Sequence, residues 1–342
     1  MKNNNTKKMI RNFIFFALLI ILTLWVMLKD QDAGEIFKII GQSNGVFIAI
    51  GVLCMVIHII LEAVNIRRTL KILGNKTKFK SCLKYALIGF FFSGITPAAS
   101  GGQPMQIYYM HKDGLTVGHS TLALLINLTS MQIVTITVAL VSVLFNYQYL
   151  NKMLLILLVI GLLLNMSALM ILLIAVFSKR LSRFLMKVAI RIMKFLRIKN
   201  MDKKIKKIGR ELGNYQRSAK YIKKNKKLMV KIVLTTLIQF LINYSVAYWT
   251  YRALGFNEHN IIEIITMQSV LFATVSGIPS PGSVGVSEGV FVEIFRNLYP
   301  EHMIKSATLL NRGINFYLFM LISGVLVAVN QFREKKKMEE VW

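Results

Sequence analysis

Ser276-Gly277-Ile278-Pro279-Ser280-Pro281-Gly282-Ser283-Val284-Gly285-Val286-Ser287-Glu288 interrupts an apolar run that extends over 262–297. A sister cluster, Ser93-Gly94-Ile95-Thr96-Pro97-Ala98-Ala99-Ser100-Gly101-Gly102-Gln103-Pro104, interrupts the apolar run 83–110 in the first half of the chain. Both open with Ser-Gly-Ile, reach Pro within two residues, and then turn through Ser and Gly. Proline removes a backbone donor and collides with the carbonyl one helical turn back. Glycine takes backbone angles that other residues resist. Each run is therefore read as helix, turn, helix, with re-entrant turns at Gly94, Pro97, Gly101, Gly102 and Pro104, and at Gly277, Pro279, Pro281, Gly282 and Gly285.

The surroundings say what kind of medium these breaks sit in. The chain has 342 residues, 55% of them hydrophobic and only 17% charged, with a mean hydropathy of +0.54. Soluble domains average about 45–50% apolar and about 25% charged residues, which weighs against a soluble enzyme. A bilayer core about 30 Å thick needs about 20 mostly apolar helical residues to cross. Six stretches meet that need: 12–28, 45–63, 119–145, 153–177, 231–251 and 304–330. The first is read as a span rather than a cleaved signal, because Lys29-Asp30-Gln31-Asp32 follows with no small-residue cleavage site. Cys54 and Cys82 are the only cysteines, too few for a disulfide framework or a zinc site.

The formal net charge is +28, from 43 Lys+Arg against 15 Asp+Glu. A basic face of that size is the usual footprint of nucleic-acid binding; placement of the charges points elsewhere. Residues 1–11, 64–84, 179–231 and 332–342, together with Lys112, hold 36 of the 43 basic residues. The 29–44 and 146–152 loops hold few. Lys/Arg excess marks cytoplasmic loops, so both termini and the two long basic stretches are expected inside, at the cytoplasmic membrane. Phospholipid headgroups, not nucleic acid, are the expected partner of this charge.

That sorting constrains the broken runs. If 83–110 crossed once, the next two spans would carry 179–231 and its twenty basic residues outside. A hairpin that dips in and returns on the cytoplasmic side removes the conflict. The same reasoning makes 262–297 a hairpin from the outer side. The expected fold is an all-α polytopic membrane protein of about six full spans plus two oppositely oriented re-entrant helical hairpins, eight membrane segments in all. It forms one integral membrane domain over 1–342. Repeat 1 covers about 45–145, a basic connector 179–230, and repeat 2 about 231–330, an inverted pair. Paired Gly/Pro-interrupted segments in corresponding halves point to a transporter's midplane site.

Ionisable residues inside hydrocarbon cost roughly 2.5–3.5 kcal/mol each on insertion scales, so those present mark the candidate site. Glu62, Glu263, Glu288, Glu293 and Arg312 qualify by position. Arg312 lies about nine residues into its predicted span. It needs an anion or carbonyl, either Glu288 at the start of the outer hairpin's second arm or a lipid phosphate that guanidinium grips bidentately. His58, Glu62 and Asn65 share a helix face. Glu62 reads equally as a functional acid or as a headgroup-level partner of Arg67 or Lys84, and His58 as a helix–helix contact. The second arm of each hairpin opens in a Gly-rich turn whose free N–H groups suit an anionic headgroup, with Gln103, Ser283, Ser287 and Asn315 as added polar groups. Asn127 and Asn243 are expected to line a cavity, although such side chains often only bond neighbouring helices.

In 179–230, Leu181, Phe184, Leu185, Val188, Ile192, Phe195 and Leu196 repeat at helical spacing among basic residues, as do Ile205, Ile208, Leu212, Tyr215, Ala219 and Ile222. Two basic amphipathic helices lying on the inner leaflet are expected. There is no P-loop, nucleophile elbow or His/Cys ligand cluster, so no cofactor, no metal and no catalytic residue is assigned.

The two Gly/Pro clusters resemble those of the lysylphosphatidylglycerol synthase transmembrane-region family, the flippase-like domain of the multiple peptide resistance factor. The resemblance covers about residues 10–330. It implies movement of an aminoacylated, anionic or otherwise modified phospholipid, or of a polyprenyl lipid, across the membrane, and through it resistance to cationic antimicrobial peptides. In full-length family members an acyltransferase domain follows. This sequence ends at Trp342, about twelve residues after its last apolar stretch, which weighs against enzyme activity; the alternative is a phosphatidylglycerol lysyltransferase, as the family name reads, or the partner of a separate lipid-modifying synthase. A small-solute secondary transporter on the same inverted hairpins is the remaining alternative.

Overall fold

The computed structural model describes residues 33–146, 152–177, 191, 201–278 and 280–339. Among them every regular element is helical. In order these are α1 (Ala33–Gly41), α2 (Gly45–Ile72), α3 (Phe79–Gly94), α4 (Gly102–Lys112), α5 (Val117–Asn146), α6 (Lys152–Phe177), α7 (Met201–Lys224), α8 (Lys226–Ala253), α9 (Ile261–Val275), α10 (Val286–Phe295), α11 (Glu301–Arg312) and α12 (Leu318–Glu339). A π-helical turn, Gly313–Tyr317, joins α11 to α12. Among the described residues five helices are long and apolar enough to cross a membrane: Gly45–Ile72, Val117–Phe145, Lys152–Val176, Lys226–Ala253 and Glu301–Asn330. The protein is thus a multi-pass membrane protein. The predicted span 12–28, the connector half that holds Leu181 to Leu196, and Pro279 lie outside the described residues.

The helices overrun the apolar stretches that predict them. α2 continues past residue 63 through Arg67 and Arg68 to Ile72, and α8 starts at Lys226 rather than 231. Lys and Arg are good helix formers whose stems lie along apolar surface while the charge reaches water. Asn side chains set the starts. Asn44, Asn225 and Asn260 accept from the N–H groups of Val46, Leu228 and Glu263, satisfying donors a helix start leaves open.

The two broken runs fold as antiparallel pairs. α3 (16 residues) and α4 (11 residues) flank a 3₁₀ turn at Pro97–Ala99. α9 (15 residues) and α10 (10 residues) flank another at Pro281–Ser283. At 1.5 Å per residue the longest arm reaches about 24 Å, short of the roughly 30 Å hydrocarbon core. In the first pair Gln106 Nε2 donates to the Tyr85 carbonyl at 3.0 Å, and Lys84 Nζ meets Asp113 Oδ2 at 2.6 Å, so the pair begins and ends at one place. In the second, Tyr251, Phe256, His259 and Tyr299 form one aromatic cluster that holds its two ends together.

Packing between the halves is reciprocal. α2 pairs extensively with α8, and the two 3₁₀ turns touch each other. α3 packs on α12, while its counterpart α9 packs on α5. The core divides accordingly. One cluster around Met55, Tyr85, Phe91 and Met320 sits beneath the first pair, and another around Tyr251, Met267, Phe291 and Phe295 sits beneath the second.

α7 departs from expectation. Its Tyr215, Ala219 and Ile222 do not face a leaflet; they pack with Leu122, Ile126, Val176, Leu228 and Ile232 of α5, α6 and α8. Tyr215 donates to the Ala175 carbonyl at 2.7 Å. The apolar stripe that reads as a membrane-surface helix is equally a docking face.

Candidate functional site

Each turn is built by its own sequence. In the first, Thr96 Oγ1 donates to the Phe92 carbonyl at 2.6 Å and accepts from the Gly101 N–H at 2.8 Å. One hydroxyl therefore ends α3 and holds the residue before α4. In the second, Gly282 and Ser283 take left-handed φ of 58° and 53°. Gly282 meets a second demand: a Cβ there would lie 2.3 Å from Phe316 Cζ and 3.2 Å from the Gly94 carbonyl oxygen. Only a residue without a side chain lets the two turns approach this closely.

Where the turns meet they form a half-open cavity of about 150 Å³. Its walls include Ser93, Gly94 and Ala99 from the first cluster, Ser276, Ser280 and Ser283 from the second, and Phe90 and Phe316. Ser280 Oγ is buried there without a hydrogen-bond partner among the described residues. Buried hydroxyls are nearly always bonded, so this one is a polar group presented to whatever occupies the cavity.

A buried charge pair stands immediately behind the second turn. Glu288 has 0% exposure and Arg312 8%. Arg312 Nε donates to Glu288 Oε1 at 2.9 Å, and Arg312 Nη2 donates to the Gly282 carbonyl at 2.9 Å. The other carboxylate oxygen accepts from the Gly285 N–H at 2.7 Å, which also closes the start of α10. Tyr317 donates its hydroxyl to Glu288 Oε1 at 2.9 Å. The guanidinium lies 4.4 Å from the Phe316 ring centroid. Arg312 thus finds its anion in Glu288 and its carbonyl in Gly282, and in this conformation both hold the turn in place. The π-helical turn beginning at Gly313 places Phe316 and Tyr317 against this pair, as such turns commonly do at functional positions.

The remaining candidates divide. Ser283 lines the cavity; Ser287 is buried in the first turn of α10. Asn315 lies within the π-helical turn with Oδ1 buried and unbonded. Asn127 Oδ1 is likewise buried and unbonded on α5. Asn243 Nδ2 donates to Met55 Sδ at 2.9 Å. Neither Asn127 nor Asn243 is among the residues lining this cavity, and Asn243 serves the α2–α8 contact. Gln103 is half-buried at the start of α4, and it is Gln106, one turn on, that turns inward. Pro104 is exposed.

Glu62 does not sit near a helix end, because α2 runs on to Ile72. It lies within reach of Gln106, whereas Lys84 is taken by Asp113. Its face-mates go to α8: Asn65 Nδ2 donates to Thr236 Oγ1 at 3.1 Å, and His58 Nδ1 lies 3.2 Å from the Gln239 carbonyl. Glu263 pairs with His259 at 3.0 Å and Glu293 with Arg296 at 3.8 Å. Sequence reasoning passed over Ser93, Ser276, Ser280 and Tyr317. The first two open the matched Ser-Gly-Ile triplets, and that repetition was the available signal. Among the described residues no cluster of three or more His, Cys, Asp or Glu is placed to hold a metal.

Two membrane proteins of archaea are similar to this chain over nearly their whole lengths. A UPF0104 membrane protein of Pyrococcus horikoshii is 22% identical over 335 residues, 95% of this chain and 98% of the relative. Another, of Archaeoglobus fulgidus, is 21% identical over 317 residues, 91% of this chain and 94% of the relative. The family described as the lysylphosphatidylglycerol synthase TM region matches residues 13–323, which include both turns, the cavity and the Arg312–Glu288 pair. The chain belongs to that lysylphosphatidylglycerol synthase TM-region family.

Proposed function

We propose that this protein is a flippase-like translocator of a modified phospholipid or polyprenyl lipid in the cytoplasmic membrane. The observation that carries it is the meeting of the two matched Ser-Gly-Ile turns around one cavity. In this reading the first pair is re-entrant from the cytoplasm and the second from outside, within an inverted repeat of six spans with both termini inside. Arms too short to cross, and pair ends held together by Lys84–Asp113 and by the Tyr251–Tyr299 cluster, support it. Broken backbone at membrane depth is tolerated only against protein or a polar cavity. A headgroup would pass through the polar space between the turns while the acyl chains stay in lipid, and the Arg312–Glu288 bond would open and re-form as the second turn moves. A cationic aminoacyl group suits Glu288, and a phosphate suits Arg312.

Reconstitution in liposomes with fluorescent phosphatidylglycerol, with and without a lysyl group, tests this. Wild-type protein should equilibrate label between leaflets faster than protein-free vesicles. Ser280→Leu, which fills the cavity without touching the charge pair, should slow equilibration roughly tenfold, a barrier increase of about 1.4 kcal/mol. Equal rates for wild type, Ser280→Leu and empty vesicles would sink the reading. Lipid extracts from cells with and without the gene separate it from a lysyltransferase, which would alter total aminoacyl-lipid content.

A further inference from the structure

A second cavity, of about 280 Å³, lies far from the turns, in the segment joining α2 to α3. Arg67, Lys71, Asn75, Lys76, Thr77 and Lys78 line it. Four of these six are cations, and all four are exposed. The sequence holds no acidic residue between Glu62 and Asp113. Lys84, outside the cleft, is paired with Asp113.

The backbone shapes the cleft. Gly74 takes φ +82°, and the Asn75 N–H returns to the Leu70 carbonyl at 2.9 Å, the Schellman closure of a helix end. Asn75 Nδ2 reaches the Leu73 carbonyl at 3.4 Å and His119 Nδ1 at 2.9 Å, which ties the segment to α5. On its far side α3 begins with Lys78 as N-cap, and that side chain makes no capping bond. The Ser81 N–H turns back to the Lys78 carbonyl at 3.1 Å, and the Phe79 and Lys80 N–H groups have no side-chain cap, with the positive end of the helix dipole behind them. Thr77 Oγ1 is buried in the cleft wall without a partner. Four cations, an uncapped helix start and an unsatisfied hydroxyl converge on one space.

We propose that this cleft binds a phosphate group, and that its ligand is the phosphate of an anionic phospholipid in the inner leaflet. The position of the source rests on the topology argued above. α2 has 28 residues, about 42 Å of helix, some 12 Å more than the hydrocarbon core. The excess carries Arg67 and Lys71 to headgroup level. The cleft is also the base of α3, whose other end carries the first turn of the cavity, so an occupied cleft fixes the helix that bears one wall of the translocation site.

The test is a binding measurement on the full-length chain in detergent. Native mass spectrometry counts retained dioleoylphosphatidylglycerol against dioleoylphosphatidylcholine, and inorganic phosphate or glycerol 3-phosphate is titrated in a parallel arm. Lys71→Gln/Lys76→Gln/Lys78→Gln should weaken phosphatidylglycerol retention roughly tenfold, while Lys220→Gln/Lys224→Gln/Lys227→Gln, which removes the same charge elsewhere, changes it less than about twofold. Thr77→Val should weaken retention roughly tenfold or more with charge unchanged, as expected for one hydrogen bond to a charged group. Equal losses in both triple variants, or no effect of Thr77→Val, overturn the cleft in favour of diffuse surface attraction. Binding of inorganic phosphate with no added affinity for the lipid overturns the lipid source. The readout is binding rather than translocation, so failure here leaves the flippase reading standing, and failure of that reading leaves the cleft.

Discussion

Glu288 is a carboxylate with no solvent exposure, and desolvating such a group costs several kcal/mol unless it is paired and bonded. Its three partners, the Gly285 N–H at the helix start it caps, the Arg312 guanidinium and the Tyr317 hydroxyl, answer that cost. Removal of one member strands the other. Arg312→Ala is expected to destabilise the protein by about 3–5 kcal/mol, and Glu288→Ala by a similar amount. Replacement of both by Met should cost less than either single change, because no uncompensated charge remains. Unfolding in detergent, followed by intrinsic fluorescence across the four proteins, checks this; additive losses would show that the pair is not coupled. The pairing itself was legible as one of two alternatives, since an arginine deep in an apolar run needs an anion. The Gly282 carbonyl as its second acceptor was not legible, because that contact exists only once the second turn has folded back toward α11.

At the scale of elements, α7 shows how an amphipathic pattern leaves its partner open. A stripe of Tyr215, Ala219 and Ile222 on a basic helix suits a leaflet or a bundle equally well; the bundle wins because it also supplies a hydrogen-bond acceptor, the Ala175 carbonyl. Burial pushes the Tyr215 hydroxyl up from its ordinary value near 10 to about 12. The raised value means that the docked state holds the neutral form. Docking strength is therefore fully present below about pH 10 and falls as pH rises toward about 12. An environment-sensitive fluorophore at Lys220→Cys, in a Cys54→Ala/Cys82→Ala background, should report release across that window. In Tyr215→Phe the pH dependence should vanish and docking should weaken by about 1 kcal/mol, one neutral hydrogen bond. The helix itself was readable from its 3.6-residue period; its neighbour was not, since periodicity identifies a face and not what covers it.

For the whole molecule, the decisive quantity is which side each loop faces. The two turns meet, so cysteines within them would report similar surroundings; the loops at the ends of each pair discriminate better. With Cys54 and Cys82 replaced by Ala, cysteines at Lys76 and Gly114 should be labelled by an impermeant reagent from one side of the membrane. Cysteines at Asn257 and Glu301 should be labelled from the other. Labelling of Lys76→Cys and Gly114→Cys from opposite sides would show α3 and α4 to be a distorted full crossing and would remove the inverted repeat.

The sequence by itself determined a multi-pass all-helical protein, the places where two helices must break, the family, and the handful of charges that do not belong in hydrocarbon. These follow from local physics: the length of apolar runs, the missing donor of Pro, the freedom of Gly, and the cost of an ion away from water. Only the tertiary structure decided that the two breaks face each other across one cavity, that Arg312 holds Glu288 and Gly282 there, and that Asn243 and α7 serve packing. Those contacts join residues far apart in the chain, and their geometry depends on how helices pack against one another, which no local spacing encodes.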